Sequence, residues 1–335
     1  MCVPIVYHSG YDAGSVEDGH RFPMRKYSRV AERLSRTGTA FIAPGAASRE
    51  RLIVGHQRGY VDAVLQGRLD HRAQKKIGFR LTPDVVGRSR LAVGGTCLAA
   101  ELAIERGGAV NLAGGSHHAG PDEGAGFCVF NDVGVAARWL LATGRVERLA
   151  VIDLDVHHGD GTALILAGTP GAFTMSVHGA KNWPRRRPPS DLDIGLPDGT
   201  GDEDYLAALN PALEQVFDRA RPELVFYNGG VDPHVDDRLG RLALSDAGLA
   251  GRDRQVAAAC QAHGAALCGV LGGGYHRDAD KVAARHLFMV DAISAVYGSA
   301  EMESPPLSDS EGLGSTTPDA NGEVSRRRNR ADQNL

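Results

Sequence analysis

Residues 149–160 read Leu149-Ala-Val-Ile-Asp153-Leu-Asp155-Val-His157-His158-Gly-Asp160, an apolar run that turns polar within a few residues. A short, continuously apolar run such as Leu149–Leu154 reads as a strand buried on both faces of a parallel sheet. The residues after it are reactive: carboxylates and imidazoles gather at the strand's carboxyl end, where open α/β sheets bind their ligands. In extended chain, alternation directs Asp153, Asp155 and His157 to one side and His158 to the other.

The same arrangement recurs outward from this stretch. Gly114-Gly-Ser-His117-His118 follows a candidate strand at Ala109–Leu112. Asn228-Gly-Gly-Val-Asp232 follows Leu224–Tyr227, and Gly272-Gly-Gly-Tyr275 follows Ala266–Leu271. Further strands are expected at Val3–Tyr7 and Ala172–Val177. Helix-like segments lie between them at Leu91–Glu105, Asp132–Ala142, Glu203–Arg219, Asp246–His263 and Ala279–Tyr297. This alternation predicts an α/β fold: a single open, mostly parallel sheet with helices on both faces, in one domain spanning residues 1–300. Four polar motifs then converge on one edge of one sheet.

Two segments break the pattern. Prolines and glycines crowd residues 178–202, which are expected to form a long, functional surface loop. Beyond Ser304 there is no aromatic residue and only four large aliphatics, so residues 301–335 are expected to be a disordered tail, with Arg326–Arg328 a solvated basic run.

Composition narrows the function. The 335 residues are 42% hydrophobic and 23% charged, enough for a sizeable core. A formal charge of −4 supplies no basic field for nucleic acid. The five cysteines are odd in number and never spaced Cys-x-x-Cys, which argues against a disulfide scaffold or a thiolate zinc finger. No secretory leader or membrane-spanning run is visible, so a soluble cytoplasmic protein is expected, with oligomerisation left open.

Asp155-x-His157 with one more ligand makes an open zinc site, and Asp232, exposed by two glycines at another strand end, is the natural third. The bland alternative, a polar strand terminus with capping aspartates, weakens once Asp232 stands in a matching position. Adjacent His117 and His118 are too strained to bind one zinc through both rings. They suit acid and base chemistry, with Asp153 and Asp160 available to orient them; the alternative is a pair of satisfied loop histidines.

In chain order, GGSHHAGPDEGAGFCVFNDVGVAA (114–137), VIDLDVHHGDGTA (151–163), YNGGVDPHVDDRLG (227–240) and LGGGYHRD (271–278) closely resemble the histone deacetylase superfamily of zinc-dependent amidohydrolases. The resemblance covers Val3 to Tyr297. It implies zinc ligands Asp155, His157 and Asp232, active-site histidines His117 and His118 backed by Asp153 and Asp160, and a carbonyl-polarising Tyr275. It further implies an acyl-lysine tunnel walled by Phe127 and Trp183, with the Gly126 carbonyl binding the substrate amide. A structural monovalent cation, K+, is implied at Asp153, Asp155, His157, Ser176 and Val177. The segment GHRFPMRKY (19–27) is similar to the bacterial and class IV branch. The implied activity is removal of acetyl or longer acyl groups from lysine side chains of peptides or proteins, the alternative being a small acetylated amine such as an acetylpolyamine. The loop KNWPRRRPPS (181–190) is expected to set Arg185, Arg186 and Arg187 at the tunnel mouth and repel polyamines. Two other classes fit less well. A binuclear manganese ureohydrolase needs an Asp-x-His-x-Asp run, and a catalytically dead acyl-lysine reader would have lost Tyr275 or a zinc ligand.

Overall fold

A computed structural model describes residues 3–17 and 19–298. The expected tail at 301–335 lies outside the described residues. Eight strands form one sheet: β1 (Ile5–Val6), β2 (Phe41–Ile42), β3 (Gly108–Asn111), β4 (Leu149–Asp153), β5 (Ala172–Gly179), β6 (Leu192–Leu196), β7 (Leu224–Asn228) and β8 (Ala266–Val270). Their order is β2-β1-β3-β8-β7-β4-β5-β6, and every neighbouring pair is parallel.

Ten α-helices accompany them among the described residues: α1 (Lys26–Ser35), α2 (Arg49–Leu52), α3 (Arg58–Leu65), α4 (His71–Ile77), α5 (Pro83–Arg106), α6 (Asp132–Ala142), α7 (Asp160–Leu166), α8 (Asp202–Ala220), α9 (Asp246–Ala262) and α10 (Ala279–Tyr297). Every residue of β3, β4 and β7 is buried, as strands covered by helices on both faces must be. Removing a Val, Ile or Phe side chain of these strands from water stabilises the fold by about 1.5–3 kcal/mol each. Local chemistry sets the helix ends. Pro83 opens α5 with its dihedral already helical, and the Asn131 side chain accepts from the Gly134 N–H to cap α6.

The central order positions the site. The strands that precede the four polar motifs, β3, β8, β7 and β4, are consecutive neighbours in the sheet. Their last residues are level: Asn111 pairs with Val270, Val270 with Asn228, and Asn228 with Asp153. Chain segments as remote in sequence as Asn111 and Val270 therefore leave the sheet side by side.

Two sequence expectations change here. Residues 178–202 are not one irregular loop: β5 runs on to Gly179, and Leu192–Leu196 returns as the edge strand β6, paired parallel to β5. Its alternating Leu192, Ile194 and Leu196 carried a period-two signal that the surrounding prolines and glycines masked. The strand β4 also ends at Asp153, and residues 154–159 are irregular. Loop geometry, not extended alternation, therefore orients Asp155 and His157.

Candidate active site

Asp155, His157 and Asp232 meet at the floor of a cleft beyond the β4 and β7 ends. His157 Nδ1 lies 3.0 Å from Asp155 Oδ1 and 3.0 Å from Asp232 Oδ2. Backbone N–H groups lock both carboxylates: Gly273 donates to Asp155 Oδ2 at 2.7 Å and Val156 to Asp232 Oδ1 at 2.9 Å. Gly273 has to be glycine, since a Cβ there would come within 2.3 Å of Asp232 Oδ2 and 2.5 Å of Asp155 Oδ2. Behind the two loops, the buried Arg252 of α9 donates through one guanidinium nitrogen to Leu154 O and Gly230 O, tying the β4 and β7 exits together.

The electrostatics of this trio bind its three members together. Burial and the neighbouring charge of Asp155 raise Asp232 above the usual carboxylate range. Burial pushes Asp155 the same way, but His117 and His157 overcome it and hold Asp155 well below that range. Burial would lower His157, but the two carboxylates outweigh it and drive the imidazole up to about 10. One donor atom from each residue lies within 4.8 Å of the others, and a nitrogen with two carboxylate oxygens is an open-site donor set for zinc. The residues fit that ion.

His117 and His118 stand beside the trio with ring centroids 4.0 Å apart. His117 Nδ1 is 2.8 Å from Asp153 Oδ2, and His118 Nδ1 is 2.6 Å from Asp160 Oδ1. Each carboxylate thus fixes one imidazole's orientation. Their environments differ sharply. Burial would depress His117, but the charges of Asp153 and Asp155 prevail and raise it to about 9. Burial and the adjacent His117 instead lower His118 to about 3, with only Asp160 opposing. Separated titrations in one histidine pair suit one proton acceptor and one proton holder. The preceding Gly-Gly-Ser turn is held by Asp132, which accepts from the backbone N–H groups of Ser116 at 2.8 Å and Gly115 at 3.2 Å.

Aromatic walls line the cleft, whose volume is about 750 Å³. Trp183 stands edge-on to His118 with centroids 4.5 Å apart and is 45% exposed, so it forms part of the rim. Opposite, Phe127 packs 5.8 Å from the Tyr275 ring and 5.5 Å from both Phe22 and Phe79. Phe127 adopts φ 66°, a left-handed conformation that costs a non-glycine residue about 1–2 kcal/mol. Its N–H donates to Ile77 O at 2.6 Å, so the α4 end holds the strained residue in place. Tyr275 is buried, its ring is 6.1 Å from that of His157, and its N–H donates to Asp237 Oδ2 at 2.7 Å.

All residues expected around the cleft thus come together: His117, His118, Asp153, Asp155, His157, Asp160, Asp232, Tyr275, Gly126, Phe127 and Trp183. Ser176 lies level with Asp153 on β5, and Val177 follows it, away from the cleft lining. The arginine rim is corrected. None of Arg185, Arg186 and Arg187 lines the cleft, and Arg187 turns back to donate to Asn182 O at 2.6 Å and Pro184 O at 2.9 Å. Unmet backbone carbonyls of its own loop attract the guanidinium more strongly than open solvent does.

Sequence reasoning missed several contributors. Asn228 donates to Asp153 Oδ1 at 3.0 Å. Lys26 is fully buried and donates to Gly272 O at 2.5 Å; burial and Arg88 lower it to about 8, with Asp232, Asp155 and Asp237 opposing. Arg21, Lys75 and Lys76 line the cleft in place of the loop arginines. Asn228 opens the Asn-Gly-Gly-Val-Asp motif and could have been found there, whereas a lone lysine or arginine on a helix carries no sequence signal of burial.

Comparison with known proteins identifies the family. Residues 20–290 match the family model described as the histone deacetylase domain. An uncharacterized protein of Picosynechococcus is 42% identical over 301 residues, spanning 89% of this chain and all of the other. Histone deacetylase 2 of Arabidopsis thaliana is 31% identical over 297 residues, covering 84% of this chain and 77% of that protein. Among solved structures, the crystal structure of an HDAC homologue complexed with SAHA superposes with a TM-score of 0.72 over 89% of this chain and 84% of the other; at 24% identity it speaks for the fold. The chain belongs to the histone deacetylase superfamily and is a deacetylase of that superfamily.

Proposed function

We propose that the protein is a zinc-dependent hydrolase that removes acetyl or other acyl groups from lysine side chains of peptides or proteins. The observation that carries this reading is the buried Asp155–His157–Asp232 trio beside two histidines, each hydrogen-bonded to its own carboxylate. Zinc held by these three ligands would polarise an amide carbonyl and acidify a water. His118 lines the cleft and is neutral, and the Asp160 carboxylate that hydrogen-bonds its Nδ1 opposes the effect of burial and orients the ring to accept a proton. His117 faces Asp153 and Asp155 and holds its proton, and it can supply one to the departing amine. The Tyr275 hydroxyl is assigned to donate to the oxygen on which negative charge develops. Phe127 and Trp183 are suited to flank the uncharged aliphatic stem of an acyl-lysine. A K+ ion at Asp153, Ser176 and Val177 is proposed as a structural element, supported by the register that sets Asp153 opposite Ser176.

A small acetylated polyamine is disfavoured because, among the described residues, the cleft walls above the Asp155–His157–Asp232 floor carry Arg21, Lys75 and Lys76 and no acidic side chain. The test is turnover by the zinc-loaded protein of acyl-lysine peptides of increasing chain length and of acetylspermidine. Higher kcat/KM on the peptides supports the assignment, and a clear polyamine preference overturns it.

A further inference from the structure

We infer that the mouth of this cleft selects acyl-lysines flanked by acidic residues, through a cationic arc built from segments remote in sequence. The inference rests on the proposed acyl-lysine activity and adds the charge of the surrounding peptide. Arg21, Lys75 and Lys76 line the cleft itself. A second groove of about 440 Å³ shares His20 with the cleft and carries Arg238 and Arg277. Arg21, Lys75, Arg238 and Arg277 are exposed and have no ion-pair partner among the described residues.

Three of the acids on the loops around the cleft are engaged elsewhere. Glu123 pairs with Lys76 at 2.5 Å, and Asp236 pairs with Arg285 at 3.1 Å and Lys281 at 3.8 Å. Asp237 is turned inward and accepts from the N–H groups of Leu239, Gly240 and Tyr275. Among the described residues, only Glu17 adds an acid to the second groove. The whole chain is acidic at −4, so a local positive excess around the reaction cleft is a departure from its average. Exposed charges act on a bound or approaching peptide within about 10 Å at 0.1 M salt. A peptide threading its acyl-lysine between Phe127 and Trp183 carries its flanking residues past Arg21 and Lys75 at the cleft and toward the adjoining groove that shares His20. Carboxylates there are attracted and ammonium groups repelled, which shifts association more than chemistry.

The test uses the zinc-loaded full chain and three acetyl-lysine peptides equal in length, with acidic, neutral or basic flanks. At low salt kcat/KM should fall by about tenfold from acidic to basic flanks, and the spread should collapse in high salt. The double variant Arg238→Glu/Arg277→Glu should reverse the order, while kcat on the neutral peptide stays within about twofold of the parent. Anisotropy of fluorescein-labelled versions of the peptides is read alongside. An enzyme that binds acidic peptides best yet hydrolyses no peptide contradicts the proposed function and leaves the surface standing. Equal binding of all three peptides at low salt, or a preference for basic flanks, overturns the surface. Displacement of the acidic peptide by a short single-stranded DNA at lower concentration than by unlabelled peptide also overturns it, since the arc would then serve nucleic acid.

Discussion

His157 and His158 are adjacent in the chain, yet each enters a different cluster of histidine and aspartate. His157 meets Asp155 and Asp232 at the cleft floor, where two buried carboxylates confront one imidazole. His158 instead joins His178 and Asp193, away from the cleft lining, with its Nε2 2.9 Å from Asp193 Oδ1. Both clusters bring three ligand-competent atoms within 4.8 Å. Their charge balance separates them. In the first, two buried carboxylates crowd one imidazole where water is excluded, so both acids and the histidine are strongly shifted from their ordinary values. In the second, one exposed carboxylate is matched by a histidine hydrogen bond, and the pair joins the β4 exit to the edge strand β6. Ligand proximity is the same in the two clusters, and the burial of both carboxylates is what sets the first apart.

The largest expected effect tests that distinction directly. Asp232→Ala should abolish deacetylation and reduce bound zinc, measured by elemental analysis, from one equivalent per chain toward none. Full occupancy with turnover would move the metal elsewhere and dissolve the contrast between the clusters.

Next in size is Tyr275→Phe, which removes a donor beside the first cluster without changing its charge. It should lower kcat by about 10²–10³-fold and leave KM nearly unchanged. A rate within a few-fold of the parent would leave the first cluster without its proposed oxyanion donor.

A third buried histidine sharpens the comparison from outside both clusters. His56 Nδ1 is 2.8 Å from Gly120 O, and its Nε2 accepts from the Asn131 N–H at 2.9 Å, so the ring is neutral with its proton on Nδ1. Burial lowers it to about 4 from 6.5. Above pH 6.5 neither folded nor unfolded chain binds this proton. Between pH 6.5 and 4 only the unfolded chain binds it, so stability is lost as pH falls through that window, by about 3 kcal/mol in total. Chemical denaturation across that window should show the loss, and His56→Gln should flatten it. An unchanged slope in the variant would assign the acid sensitivity to other groups.

The smallest effect belongs to the second cluster. His158→Asn should cost about 1–2 kcal/mol of stability, because Asp193 keeps access to water when its partner goes. Zinc should stay at one equivalent per chain and kcat within about tenfold. A lost equivalent of zinc would make the second cluster a metal site as well.

Much of this architecture was legible in the chain. β4, β7 and β8 are near-continuous apolar runs because strands covered on both faces cannot alternate, and glycine-rich polar motifs follow each of them. Those two signals are local, so residues 149–160, 224–232 and 266–275 declare both their strand and their chemistry. Edge strand β6 was hidden because its alternation is short and flanked by Pro188, Pro189 and Pro197.

Residue type and local spacing thus marked out which groups meet at the cleft: Asp155, His157 and Asp232 as a candidate ligand set, and His117 and His118 as an orientable pair. Neighbour order in the sheet could not be read from spacing, because parallel strands of similar composition can pair in several orders. Only the tertiary structure made β3, β8, β7 and β4 consecutive and brought their polar exits to one cleft. It also decided which cations face the mouth. Arg187 was drawn to the carbonyls of its own loop, while Arg21 and Lys75, whose positions no local pattern foretold, remained exposed at the cleft. A long side chain's position depends on which polar groups remain unsatisfied around it, and that is set by the fold and not by its neighbours in the chain.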